Sequence, residues 1–285
     1  MLGSSLQSLG SFSGTVAKGS RLNFEIPKRG TYQTLFLCCR ASAGGLCTAA
    51  QIAADIGDVE ITLNGDQKIK LPAVTLQNIF EHRTGSAPAG FVGICLYHPR
   101  WDTYAQRQDV GWGMADVTSA TVFVNILSPG TLTTTSIEVL ADWDETRQQP
   151  LGAHQCYGFQ DVTFAGSGTL DNNTLNTFGP DAGMQAIHVQ NGTPANMYLD
   201  VDGKNIVNNV TPEIMAVINK EVNYTAVTAL GTSIRLDSKN ISAGLLPCFN
   251  ISKLRFRAGY AGAVSEGSVR FIYEYVRGID PKVFA

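Results

Sequence analysis

Strict alternation of apolar and polar residues recurs along the chain in short runs. Val59-Glu60-Ile61-Thr62-Leu63 alternates and ends in Asn64-Gly65. That pattern predicts a half-buried strand running into a two-residue hairpin turn, because a strand's side chains point to opposite faces and Asn-Gly tolerates positive φ. Further on, Met197-Tyr198-Leu199-Asp200-Val201 repeats the alternation and ends in Asp202-Gly203.

The interval that carries Val59 onto Met197 also carries Leu76, Ile79 and Phe80 onto Ile214, Val217 and Ile218. Both sets have the i, i+3, i+4 spacing of one helical face. Each predicted helix has a proline near its start, Pro72 and Pro212, and Thr211 is placed to cap the second. Near the end of each half comes a strand pair, Thr121–Ile126 with Ile137–Trp143 and Lys253–Ala258 with Val269–Tyr275. At the front, Tyr32–Leu37 matches Met184–Val189 over a longer interval, and the surplus falls in the small-residue stretch ASAGGLCTAA, read as a loop that accepts insertion.

Order, spacing and element type therefore recur, which is the mark of duplication. The predicted fold class is all-β: two tandem antiparallel jelly-roll sandwiches (a double jelly roll) with one short helix in each. Strands without intervening helices cannot form a parallel α/β sheet, whose crossovers need a dozen or more residues. The expected domains are a flexible N-terminal arm at 1–20, jelly roll 1 at 21–147 and jelly roll 2 at 148–285, divided in the polar stretch Glu145–Pro150. Phe164–Pro180, rich in Gly, Asn and Thr, reads as a long loop or arm opening the second domain.

Composition agrees. The 285 residues are 44% apolar and only 16% charged, and a poorly charged exterior suits burial against neighbouring subunits. With a net charge of -3 and no Lys/Arg run, the chain lacks the electrostatic footprint of a protein that wraps nucleic acid. No apolar run approaches the length that spans a bilayer, and the Ser/Gly-rich start is not expected to be a secretory signal. Cys38, Cys39, Cys47, Cys95, Cys156 and Cys248 form no CxxC pair and read as reduced core or interface thiols. The sequons at Asn172, Asn191, Asn209, Asn223, Asn240 and Asn250 read as turn and strand-edge positions.

Little in the chain suggests catalysis. There is no Gly-x-Ser-x-Gly elbow, and Gly111-Trp112-Gly113 lacks the third glycine of a dinucleotide loop. His82, His98, His154 and His188 are scattered and read as ordinary surface or half-buried histidines rather than metal ligands. Asp200-Val201-Asp202-Gly203 lacks the later ligands of a calcium loop and reads as a β-turn. Asp142, Asp144 and Glu145 could hold a structural calcium across a subunit contact; a solvated acidic turn is the other reading. Tyr97, Trp101, Tyr104 and Trp112 gather round a polar loop. They suggest either sugar stacking in a carbohydrate-binding sandwich or, preferred here, anchoring at a subunit interface. No catalytic, cofactor-binding or metal residues are assigned, and no cofactor is expected.

The size, the duplicated strand–Asn/Asp-Gly–strand–helix block and the closing strands IEVLADW and VRFIYEY resemble the P2-type double jelly-roll major capsid proteins of membrane-containing, PM2-like phages. The resemblance implies homotrimers whose six jelly rolls make a pseudo-hexagonal capsomer, tiled into an icosahedral shell around an internal membrane. It further implies a separate vertex (penton) protein as partner, contact with the membrane or its proteins, and no direct contact with nucleic acid. Localisation would be the virion, with assembly in the host cytoplasm. The loops here are short, so receptor binding by this chain is not expected. Two further classes stay open: the carbohydrate-binding sandwich and a bicupin-like metalloenzyme.

Overall fold

The computed structural model describes residues 5–42, 44–97, 111–164, 166–236, 245–249, 251–264 and 267–280. The chain forms two compact units, Met1–Cys156 and Tyr157–Ala285.

In the first unit, β1 (Ser5–Ser11), β9 (Thr134–Asp144), β3 (Thr31–Ala41) and β6 (Phe91–Cys95) lie side by side in that order, with β7 (Trp112–Gly113) also on β3. Its other sheet runs β2 (Arg21–Glu25), β8 (Ala120–Ile126), β4 (Ile56–Leu63), β5 (Asp66–Pro72). The second unit repeats the scheme. One set runs β10 (His154–Thr163), β18 (Ser268–Arg277), β12 (Gly183–Gln190), β15 (Thr232–Arg235), with β16 (Leu246–Pro247) also on β12. The other runs β11 (Gly168–Asn172), β17 (Leu254–Tyr260), β13 (Asn196–Val201), β14 (Lys204–Val210). Substituting β10 for β1, β18 for β9, β12 for β3 and β15 for β6 reproduces the order, as does the corresponding exchange in the other sheet. Each unit is thus a jelly roll.

Alternation dictates which side chains meet in each interior. In β8, Ala120, Val122, Val124 and Ile126 are buried and the residues between are not; β4 buries Val59, Ile61 and Leu63. In β17, Leu254, Phe256, Ala258 and Tyr260 do the same. The two hairpins placed by sequence are present, with Asn64 and Gly65 at φ 53° and 82° and Asp202 and Gly203 at 50° and 88°. Two positive φ values are what a type I′ turn needs. Each turn side chain also ties down the loop feeding the neighbouring strand: Asn64 Oδ1 accepts from the Thr118 amide at 2.7 Å, and Asp202 Oδ1 from the Lys253 amide at 2.7 Å.

The helices occupy equivalent slots, α2 (Ala73–Thr84) after β5 and α3 (Pro212–Glu221) after β14. Thr211 caps α3, its hydroxyl accepting from the Ile214 amide, with Pro212 in the first turn. The expectation of one helix per unit falls short in the first. The stretch read as an insertion loop leads into α1 (Ala49–Asp55), started by a capping box between Thr48 and Gln51.

Three further expectations need correction. The arm assigned to 1–20 contains β1, whose backbone pairs with β9. The stretch read as a loop from 164 to 180 contains β11, paired with β17. The boundary between the compact units lies at Cys156 and Tyr157, within β10 and beyond the polar stretch that ends at Pro150.

Candidate functional site

The two helix slots invite comparison, because the duplicated backbone carries different chemistry in each. In the first unit α2 lies on β6. Phe36 of β3 sits opposite Gly93 of β6 and Leu140 of β9. Its ring meets Phe80 of α2 edge-on, centroids 5.6 Å apart, and Phe91 at 6.3 Å. Gly93 makes this possible: a Cβ there would fall 2.4 Å from the Phe80 ring. Leu76 and Ile79 of α2 are buried, as are Thr75, Gln77, His82 and Arg83, so apolar packing on this helix is joined by polar contacts such as Gln77 Nε2 donating to the Phe91 carbonyl at 3.2 Å.

In the second unit His188 takes the place of Phe36, sitting opposite Ser233 of β15 and Ile272 of β18. Asn219 of α3 donates from Nδ2 to the Ser233 carbonyl at 2.8 Å. Around His188 a polar cluster replaces the aromatic one. His188 Nδ1 lies 2.7 Å from Ser233 Oγ and Nε2 lies 2.6 Å from Glu274 Oε1. Arg235 Nη1 donates to the same Glu274 oxygen at 2.8 Å, and Nη2 donates to the Tyr224 hydroxyl at 2.6 Å. The guanidinium also lies 3.9 Å from the Tyr224 ring centroid, a cation–π distance. His188 and Glu274 have no solvent exposure and Arg235 has 9%.

A hydroxyl, an imidazole and a carboxylate in line are the parts of a nucleophilic relay. Here they do other work. The imidazole and carboxylate are sealed from solvent, so no substrate can reach them, and Arg235 neutralises the carboxylate. The cluster instead links β12, β15, β18 and the segment after α3 through side chains that have to be in register to be satisfied.

The outward side of α3 is apolar. The buried residues of this helix are Met215 and Asn219. Ile214, Val217 and Ile218, the face marked by the i, i+3, i+4 spacing, are 50%, 61% and 43% exposed. Next to them is a shallow apolar cavity of about 400 Å³ lined by Ala216, Val217, Lys220, Tyr224, Thr225 and Ala226.

Trp112 is fully buried and its indole donates to the Gln155 carbonyl at 3.1 Å, so it is a core residue and neither a sugar platform nor an interface anchor. Tyr97 is half-buried, its carbonyl accepting from Arg83. Trp101, Tyr104, His98, Asn240 and Asn250 lie outside the described residues. His82, His154 and His188 are all buried, against the expectation of surface or half-buried histidines. Asn191, Asn209 and Asn223 have positive φ, and Asn172 Oδ1 accepts from the Thr174 amide at 2.7 Å, so these four are turn and strand-end residues as expected.

The acidic trio does not come together. Asp144 Oδ1 accepts from the Thr146 amide and hydroxyl at 3.0 and 2.7 Å, Glu145 pairs with Arg29 at 2.9 Å, and Asp142 stands within β9 opposite Leu6 and Thr34. Among the described residues no group of three or more His, Cys, Asp or Glu is placed to hold a metal ion.

All six cysteines are buried thiols outside any disulfide. Burial pushes Cys39 far above the ordinary thiol range, with Cys47, Cys38 and Asp55 adding to the shift, and pushes Cys248 up to about 11. Since the thiolate is the reactive form, native protein is expected to consume almost no Ellman's reagent within minutes, while guanidinium-unfolded protein titrates all six. Rapid native labelling of one or more thiols would show that burial does not protect them.

Residues 6–144 match the family described as the viral coat protein P2 N-terminal domain. The first unit is thus similar to the N-terminal domain of viral coat protein P2. No curated protein matches the chain in sequence. Among solved structures, the crystal structure of the major capsid protein P2 from bacteriophage PM2 is similar over 96% of this chain and 97% of that one, with TM-score 0.78 and 16% identity. The atomic structure of Sulfolobus turreted icosahedral virus aligns with TM-score 0.68 and 10% identity over 99% and 95% of the two chains. The PBCV-1 virus capsid aligns with TM-score 0.62 and 10% identity over 96% and 94%. At such identities these alignments establish the fold alone, a double jelly roll. The proteins that the chain resembles are viral coat and capsid proteins.

The sequence reading missed the buried cluster at His188. A signal was present: Glu274 is a lone charge inside the aromatic run Phe271-Ile272-Tyr273-Glu274-Tyr275, and a charge so placed needs a buried partner. Which partner it finds is decided by strand pairing across the sheet.

Proposed function

We propose that the chain is a viral coat protein, the major capsid subunit of an icosahedral shell, and that it assembles as a homotrimer. The observation that carries this reading is the duplication. Two jelly rolls with the same strand order and the same helix slot give a trimer six similar wedges, a pseudo-hexagonal block able to tile a surface. In this reading the shell encloses an internal membrane, a separate protein fills the five-fold vertices, and assembly precedes in the host cytoplasm. The absence of a Lys/Arg run supports a shell separated from the genome, because genome-wrapping surfaces depend on phosphate neutralisation. No resident cofactor or ion is needed.

Light scattering on purified full-length protein is expected to give three times the mass of one chain, and micrographs of concentrated protein or lysate to show hexagonally packed blocks. A monomer persisting at roughly micromolar concentration, well above the range in which obligate interfaces dissociate, would sink the trimeric reading.

A further inference from the structure

Helix α3 is turned inside out relative to α2. Where α2 buries Leu76 and Ile79, α3 buries Met215 and Asn219 and presents Ile214, Val217 and Ile218 to solvent as one i, i+3, i+4 stripe. The downward side holds buried Met215 together with polar contacts, Asn219 to the Ser233 carbonyl and, just past the helix, the Tyr224 hydroxyl accepting from Arg235. β-branched side chains are mediocre helix formers, so their use on an exposed stripe is not explained by helix formation. Single exposed apolar residues are ordinary, but a stripe of three beside the apolar cavity at Val217 has the character of a contact surface.

Two observations select the occupant. Helices that lie on lipid carry a polar face rich in Lys and Arg. The exposed charges of α3 are Glu213, Lys220 and Glu221, with no cationic excess to meet anionic headgroups, so the flanks suit a near-neutral protein surface. The second is area. Three half-exposed side chains supply well under the roughly 800 Å² per partner of a stable two-body interface. The stripe is too small to hold a trimer together by itself. It suits a contact that is weak singly and repeated many times, where the lattice adds the contributions.

We propose that the outer face of α3 is a lateral contact between capsomers, occupied by a second copy of this chain. The assignment rests on the trimeric shell reading and locates one of its joints. The test compares the wild-type full-length protein with an Ile214→Gln/Val217→Lys/Ile218→Gln variant. Ile206→Gln, at a residue of β14 that is 40% exposed, is the control. Particle mass, thermal midpoint, the concentration at which shells or sheets appear, and flotation with neutral and anionic phospholipid vesicles are measured for each.

The triple variant is expected to keep the trimer mass and thermal midpoint while the onset of assembly moves to at least about tenfold higher concentration, the loss of one modest contact per copy. The control assembles like wild type. Unchanged onset overturns the lateral contact while leaving the trimer standing. A variant that falls to monomers with its fold intact places the stripe inside the trimer and overturns the lateral assignment. Unchanged assembly with lost flotation makes lipid the occupant and overturns it too. A wild-type protein that is itself monomeric overturns the trimeric reading. If the triple variant melts early, Val217→Lys alone, at the most exposed of the three, is judged by the same outcomes.

Discussion

Glu274→Ala is expected to cost the second unit about 3–5 kcal/mol, the loss seen when one partner of a buried ion pair is deleted. The reason is what remains. Arg235 and His188 both direct a ring or guanidinium nitrogen at Glu274 Oε1, at 2.8 and 2.6 Å. Without the carboxylate the buried guanidinium loses this ion pair, while the alanine supplies no acceptor to the imidazole. Neither site is open enough for water to take over, with His188 fully buried and Arg235 9% exposed. Glu274→Gln keeps one carbonyl acceptor and most of the volume, and is expected to lose less. Urea unfolding followed by far-UV circular dichroism reads both variants. An alanine variant within about 0.5 kcal/mol of wild type, the range of ordinary surface substitutions, would mean that the cluster carries no net stability.

The second large effect is expected at Phe256→Ala, also about 3–5 kcal/mol, by a different mechanism. Phe256 is fully buried in β17, between β11 and β13 in its sheet, and its ring meets the Phe271 ring edge-on at 5.1 Å. Truncation removes the transfer energy of the ring and leaves a cavity that strands pinned on both sides cannot close. Phe256→Leu fills part of that space and is expected to lose about half as much or less. Thermal unfolding checks the series. A Phe256→Ala midpoint indistinguishable from wild type would show that this interior can collapse around the deletion. The Glu274 and Phe256 variants differ in kind: the first adds an unsatisfied charge, the second removes packing, and only the second is eased by a larger apolar substitute.

Both positions show how far the residues alone could be read. Phe256 was legible, because Leu254, Phe256 and Ala258 alternate with Lys253, Arg255 and Arg257, and a strand's period of two puts the first set on one face. The same local rule located β4, β8, β9, β13 and β18, and Asn64-Gly65 and Asp202-Gly203 marked their turns by a requirement for positive φ that few residues meet. Since these signals are local and recur in the same order, the duplication and the jelly-roll class followed from them. β1 and β11 were less legible. Their Ser-, Gly- and Asn-rich sequences have weak strand preference, and they are strands because β9 and β17 offer them an edge to pair with.

Helix α3 marks the limit. Its stripe of Ile214, Val217 and Ile218 has the spacing that in α2 marks a buried face, and periodicity identifies a face without saying which way it turns. That direction is set by what lies beneath. Under α2 the sheet offers Phe36, Phe91 and the gap at Gly93; β15 offers α3 the Ser233 carbonyl, next to the cluster of His188, Glu274 and Arg235, and this takes Asn219 while the apolar stripe stays outside. The sequence by itself determined the strands, the turns, the two helix slots and the repeat that joins them, since each depends on neighbours a few residues apart. Only the tertiary structure decided which charges pair in the interior and which helix face remains open, since both depend on residues brought together from strands far apart in the chain.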